Sequence, residues 1–138
     1  MPTEHSAEAI RLVLDTNVLV AAAFRPDGAA ATVVARARAG QVLVVWNAAT
    51  RRESERIVRR IPPIARSDVL DVFLPHGELT EAVDESAFAF IEDPDDRKFA
   101  ALACATHATL LTQDAHLLSA RDRLSCAVMT PRALLIGE

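Results

Sequence analysis

Two hydrophobic patterns alternate along this chain. Short, unbroken apolar runs occur at Leu12-Val13-Leu14, at residues 42–46 and at Leu110-Leu111, and each gives way at once to a polar residue. A run that is apolar at every position, rather than at every second one, is the pattern of a strand covered on both faces of a parallel sheet. We therefore expect strands at 10–14, 42–46, 109–112 and 126–130. The stretches between them carry apolar residues at helical spacing, which predicts helices at 17–24, 29–39, 47–60, 66–76, 96–107 and 115–120, with a last helical turn after Pro131. Turn and cap residues set the limits. Arg25-Pro26-Asp27-Gly28 makes a turn, Gly40 stops a helix whose end carries Arg36 and Arg38, Asn47 caps the next helix, and Pro62-Pro63 stops that one. Gly77 reads as the stop of helix 66–76, and 78–92 as mostly irregular with a short strand near Ala82-Val83. Strands alternating with helices predict an α/β fold, a three-layer α/β/α arrangement with a mainly parallel central sheet.

Size narrows the organisation. The chain has 138 residues, 51% hydrophobic and 25% charged, which supports one core and leaves no room for a second. The expected layout is a single domain over 10–138, preceded by an irregular or disordered tail at 1–9. Cys104 and Cys126 are too few for a disulfide scaffold and lack a C-x-x-C partner, so reduced, buried thiols in a cytoplasmic protein are expected. The first eight residues are acidic and polar where a signal peptide is basic and then apolar. No apolar run approaches the roughly 20 residues that cross a bilayer, so no membrane association is expected.

Candidate chemistry gathers where the strands end. Asp15 follows the first apolar run and Asp114 follows a late one, and open α/β sheets bind ligands beyond the carboxyl ends of their strands. Asp96 stands in Asp93-Pro94-Asp95-Asp96, a run that by itself is a good helix start, since free amide N–H groups and the helix dipole favour negative charge there. Asp15 and Asp114 could likewise be helix caps and nothing more. Glu53 is harder to dismiss. On helix 47–60 it lies four residues from both Ala49 and Ile57, on an inward stripe that continues to Ile61, while Glu55, Arg51, Arg52 and Arg59 take the outer positions. A carboxylate facing inward is costly unless something positive meets it, whether Arg56 or a bound cation. Four acids at Asp15, Glu53, Asp96 and Asp114 offer an all-oxygen cage, which suits Mg²⁺ or Mn²⁺ and does not suit zinc.

Charge and the remaining residues exclude several alternatives. The net charge of −4 and a pI near 5.5 oppose nucleic-acid binding by bulk electrostatics, yet eight of the fourteen arginines fall between positions 36 and 66. Arg52, Arg56 and Arg59 are the expected phosphate grip, and it must be ionic, because aromatics are 4% of the chain and Tyr is absent. His5, His76, His107 and His116 lack zinc spacing. Four scattered glycines make no phosphate loop, and no Gly-x-Ser-x-Gly elbow occurs. A phosphatase or phospho-acceptor domain would want an Asp-x-Asp after the first strand or a Lys after a late one. Asp15-Thr16-Asn17 and a sole lysine at Lys98 argue against both.

Leu12-Val13-Leu14-Asp15-Thr16-Asn17-Val18, the acid six residues after Asn47, Asp93-Pro94-Asp95-Asp96-Arg97-Lys98-Phe99 and Thr112-Gln113-Asp114 together resemble the PIN-domain nucleases. The nearest likeness is to short stand-alone members that serve as toxins of type II toxin–antitoxin pairs. It runs from about residue 10 to Met129-Thr130-Pro131-Arg132 and is poor over 60–90; Gln113, Ala101 and Asn47 depart from the family's usual Gly, Leu and Ser or Thr. The resemblance implies that Asp15, Glu53, Asp96 and Asp114 hold the metal, that Asn17 and Thr112 orient them and that Asp93 assists. It also implies an endoribonuclease leaving 5′-phosphate ends, a homodimer and an antitoxin partner. The alternative is a catalytically weak RNA-binding or protein-interaction domain of the same fold that keeps the acids as a relic.

Overall fold

A computed structural model describes residues 9–137. The tail expected at 1–9 therefore lies, except for Ala9, outside the described residues. Four strands, β1 (Ile10–Leu14), β2 (Val42–Val44), β3 (Thr109–Leu111) and β4 (Val128–Met129), form one sheet in the order β2-β1-β3-β4 with every pairing parallel. Chain direction across the sheet reverses at β1, since β2 pairs on one side of it and β3 on the other. The carboxyl ends of β1 and β3 thus flank a topological switch point, where open α/β sheets form their crevice.

Alternation along the strands divides the core in two. Leu12, Leu14 and Leu111 face a cluster containing Val18 and Leu19 of α1 (Thr16–Phe24) and Val33 and Val34 of α2 (Ala29–Arg38). Val58 of α3 (Ala48–Arg59) and Leu134 of α6 (Pro131–Ile136) complete that side. Val13, Leu110 and Val128 face Phe99, Leu102 and Ala103 of α4 (Pro94–Thr106) and Leu117 of α5 (Ala115–Ser119). The result is the expected α/β/α sandwich. Cys104 and Cys126 are free thiols whose sulfurs lie 3.2 Å apart, where α4 passes the segment leading into β4. Among the described residues no single helix is long and apolar enough to cross a membrane.

Several expected limits move. The strand expected at 42–46 ends at Val44, and Trp46 makes only an isolated bridge to Glu78. The outer strand shortens from 126–130 to Val128–Met129. Helix 66–76 does not form; two 3₁₀ turns, Val69–Val72 and Pro75–Gly77, replace it. Asp and β-branched Val are weak helix formers, and Pro75 disfavours helical geometry at Leu74. The tighter turn also stacks Val69 and Val72, three residues apart, onto the core. Gly77 is not a helix stop. A Cβ there would collide with the carbonyl oxygen of Val44, so glycine lets this segment lie against β2. Residues 78–92 are irregular as expected, but no strand forms at Ala82-Val83; Ser86–Phe88 is a 3₁₀ turn. Arg97 ties this stretch to α4, donating to the Ile91 and Ala89 carbonyls at 2.9 and 3.1 Å.

Candidate active site

The first acid is placed by the sheet. The Asp15 amide donates to the Leu111 carbonyl at 3.0 Å, continuing the β1–β3 ladder, and its side chain caps α1 by accepting from the Thr16 amide at 2.8 Å. Only 5% of the residue is exposed. Its second carboxylate oxygen accepts the Thr112 hydroxyl at 2.8 Å and the Asn17 amide at 3.3 Å. Burial raises the Asp15 pKa above the ordinary carboxylate value, the hydrogen bonds from Thr112 and the Thr16 amide oppose that rise, and the charges of Asp114 and Asp93 add to it.

Two further acids meet Asp15 from the other side of the sheet. Asp114 caps α5 by accepting from the His116 amide at 2.8 Å, and its own amide donates to the Thr112 hydroxyl at 2.9 Å. Thr112 thereby links two acids through one hydroxyl. Asn17 closes a second link, accepting from the Gln113 amide at 3.1 Å. Asp93 caps α4 and turns its carboxylate to the Asp95 amide at 3.0 Å, which leaves Asp96 in the first turn, facing the cleft. The Asp96 carboxyl is pushed up to about 7, first by burial, then by the charges of Asp15, Asp114 and Asp93 and by a hydrogen bond with Asp114.

Glu53 approaches from α3. Asn47 and Thr50 start that helix with a reciprocal capping box, the Thr50 amide donating to Asn47 at 2.9 Å and the Asn47 amide to Thr50 at 3.1 Å. The fully covered face of α3 is Thr50, Ser54 and Val58, one position round from the expected Ala49, Ile57 and Ile61 stripe, which is half-buried. Glu53 stands on that half-buried flank, with 11% of its side chain exposed, and lines the same cleft of about 410 Å³ as Asp15, Asn17, Asp93, Asp96 and Asp114. Something positive does meet it: Arg56 at 2.8 Å and Lys98 at 3.7 Å.

The arginines expected to grip RNA are less available than the sequence implies. Arg56 is engaged by Glu53, and Arg59 lies 3.9 Å from Glu55, so Arg52 alone of the three has no acid within ion-pair distance among the described residues. Sequence reasoning also missed residues that shape the site. Lys98, the chain's only lysine, lies two residues beyond Asp96 and reaches Glu53 and, at 3.8 Å, Asp95. The hydroxyls of Thr16 and Ser54 share a buried hydrogen bond at 2.8 Å that locks α1 to α3 and so fixes Glu53 opposite Asp15. Polar Thr50 and Ser54 at helical spacing with Val58 were the available signal for that contact.

Among the described residues no three acidic, His or Cys side chains are drawn together closely enough to grip an ion as they stand. Asp96 and Asp114 share a hydrogen bond, while Glu53 is held toward Arg56 and Lys98. The donors lining the acidic cleft are nevertheless mostly carboxylate oxygens, and the charges of Asp15, Asp114 and Asp93, which add to burial in pushing the Asp96 carboxyl up to about 7, are charges that a cation would relieve. The residues present therefore fit a hard divalent cation of the Mg²⁺ or Mn²⁺ class.

Comparison with known proteins agrees with the fold. A family model described as PIN domain matches residues 11–116. No curated protein and no solved structure gives a match. The match takes in β2, β3 and all of β1 but Ile10, together with Asp15, Glu53, Asp96 and Asp114, and by it the chain belongs to the PIN domain family.

Proposed function

We propose that the protein is a metal-dependent endoribonuclease and the toxin of a toxin–antitoxin pair. PIN domains are generally nucleases, which supplies the reaction class. The observation that carries the reading is the convergence of Asp15, Asp96 and Asp114 from three separate elements on one cleft at the sheet's switch point, where burial and then the neighbouring charges push the Asp96 carboxyl up to about 7. Asp15, Asp96 and Asp114, with Glu53 across the cleft, are the residues that would hold Mg²⁺ or Mn²⁺. When bound, such a cation acidifies water and neutralises charge on a phosphodiester. Thr112 and Asn17 hold the Asp15 carboxylate in one orientation. Asp93 adds negative charge at the rim and keeps the start of α4 in place. Glu53, balanced between Arg56 and Lys98, can turn toward a water in the cleft and take its proton. Arg52, with Arg56 and Arg59 once RNA displaces their acidic partners, supplies cations for the phosphates on the α3 side.

One observation favours a second reading, a catalytically weak RNA-binding or protein-interaction domain: the acids of the described residues are not gathered into a ready-made cage. Incubation with single-stranded RNA separates the two. Cleavage in Mn²⁺ that leaves 5′-phosphate ends, stops in EDTA and falls by orders of magnitude in Asp15→Asn supports the nuclease. Intact RNA, or equal cleavage by Asp15→Asn, refutes it. The partner reading is tested by expression: growth arrest relieved by a co-expressed neighbouring protein, and a homodimer by light scattering, are expected, while harmless overexpression of active protein would contradict the toxin role.

A further inference from the structure

A second and larger cleft, of about 690 Å³, opens beside the acidic one between α1 and the start of α6 at Thr130, Pro131 and Arg132. Asn17 and Val20 line both, so the two clefts share a wall. Their character differs. Where the first is walled by acids, the second has an apolar floor and two arginines, Arg25 and Arg132, at its rim. Neither arginine makes an ion pair among the described residues, whereas Arg38, Arg51, Arg56 and Arg59 each do. Phe24 lines this cleft with half its surface exposed to solvent. Gln113 presents an exposed carboxamide from the loop after β3.

We propose that this cleft is the subsite for the nucleotide adjoining the scissile phosphate of single-stranded RNA, with the base stacked on Phe24 and the flanking phosphates held by Arg25 and Arg132. The inference rests on the nuclease reading of the acidic cleft. A cleft of this volume is in the range that holds small molecules of nucleotide size. An acidic centre repels the polyanion it would cut, so the strand needs uncommitted cations close by, and these two arginines are of that kind. An exposed phenyl ring gives a base a face to stack on without reading its identity. Asn17 and Gln113 are joined by a hydrogen bond at 3.1 Å, so the boundary between the clefts is fixed to the acids and a base seated in one holds its phosphate at the other. A duplex would hide its base faces from Phe24, which selects unpaired strands.

The test uses the full chain and a fluorescently labelled ten-nucleotide single-stranded RNA of mixed sequence, with affinity read by anisotropy in EDTA so that no cleavage occurs. Phe24→Ala should weaken binding about tenfold or more. Arg25→Gln with Arg132→Gln should weaken it further and reduce the slope of log affinity against log salt by about 1.4, for two lost single-strand phosphate contacts. Neither change should alter the rise in Tm produced by Mn²⁺, because the acids are untouched. The same affinity in all three proteins, or no binding of this RNA by wild type at micromolar protein, overturns the subsite. Unchanged RNA affinity with lost self-association in Phe24→Ala also overturns it and assigns the cleft to a second copy of the chain. The two readings fail separately. Phe24-dependent binding by a protein that never cleaves sinks the nuclease and keeps the subsite, while cleavage with unchanged KM in both variants sinks the subsite and keeps the nuclease.

Discussion

Replacing Asp96 by Asn removes one charge from a crowded anionic cleft, and the consequence for stability can be worked from the structure. In the metal-free protein the Asp96 carboxyl is pushed up to about 7 from an ordinary 3.8 by burial and by the charges of Asp15, Asp114 and Asp93. At about 1.4 kcal/mol per unit, ionising it in the fold would cost about 4 kcal/mol if the site were dry. Asp96 is only half-buried and solvent screens its neighbours, which brings the expected cost to about 1–2 kcal/mol. Because the folded pKa lies above the unfolded one, the wild-type fold keeps its proton advantage at low pH and loses it as pH rises from about 4 to about 7. Asp96→Asn has no such loss. By thermal unfolding in EDTA, the two proteins should melt together near pH 4, and the variant should melt about 3–8 °C higher at pH 8, at a few degrees per kcal/mol for a domain of this size. Millimolar Mn²⁺ should narrow or reverse the order, because binding stabilises by mass action and the variant binds less. Equal destabilisation of the variant in both buffers would leave Asp96 as a helix-start residue and nothing more.

Thr112→Val removes the hydroxyl that serves both Asp15 and Asp114, leaving a buried carboxylate short of a donor; urea unfolding should show a loss of about 1–3 kcal/mol. The Asp15 pKa, held down by that bond, should rise, so the acidic limb of the rate profile should move to higher pH, and an unmoved limb would count against Asp15 as an ionised ligand. Gly77→Ala drives a methyl into the Val44 carbonyl and should lower the stability by about 1–3 kcal/mol in the same assay, whereas a neutral result would mean that this segment gives way easily.

The sheet was legible because parallel strands are apolar on both faces, and Leu12-Val13-Leu14 and Leu110-Leu111 advertise that without help from the rest of the chain. The placement of Asp15 and Asp114 beyond the strand ends was legible for a related reason: they stand just past those runs, at the edge of the sheet where a crevice forms. Segment 66–76 was not legible. Its apolar residues have spacing compatible with either helix type, and only Pro75 and the need to lay Val69, Val72 and Phe73 against the core decide for 3₁₀ turns. On α3 hydropathy misplaced the buried face by one position, since Thr50 and Ser54 are buried through hydrogen bonds to Asn47 and Thr16, and a polar side chain satisfied across the fold cannot be told from an exposed one in the sequence. The engagement of Arg56 and Lys98 by Glu53 was half visible: Arg56 lies three residues away on the same helix, while Lys98 comes from α4 and needs the tertiary structure.

The proposed function turns on a divalent cation held by the acids of the cleft between β1 and β3. Anomalous scattering from crystals grown in millimolar Mn²⁺ tests it without relying on a substrate. At least one Mn²⁺ bound by oxygens of Asp15, Asp96 and Asp114 is expected, with Glu53 turned away from Arg56. A cleft without Mn²⁺ in crystals of a protein that cleaves RNA under the same conditions, or an ion held only elsewhere on the surface, would contradict it.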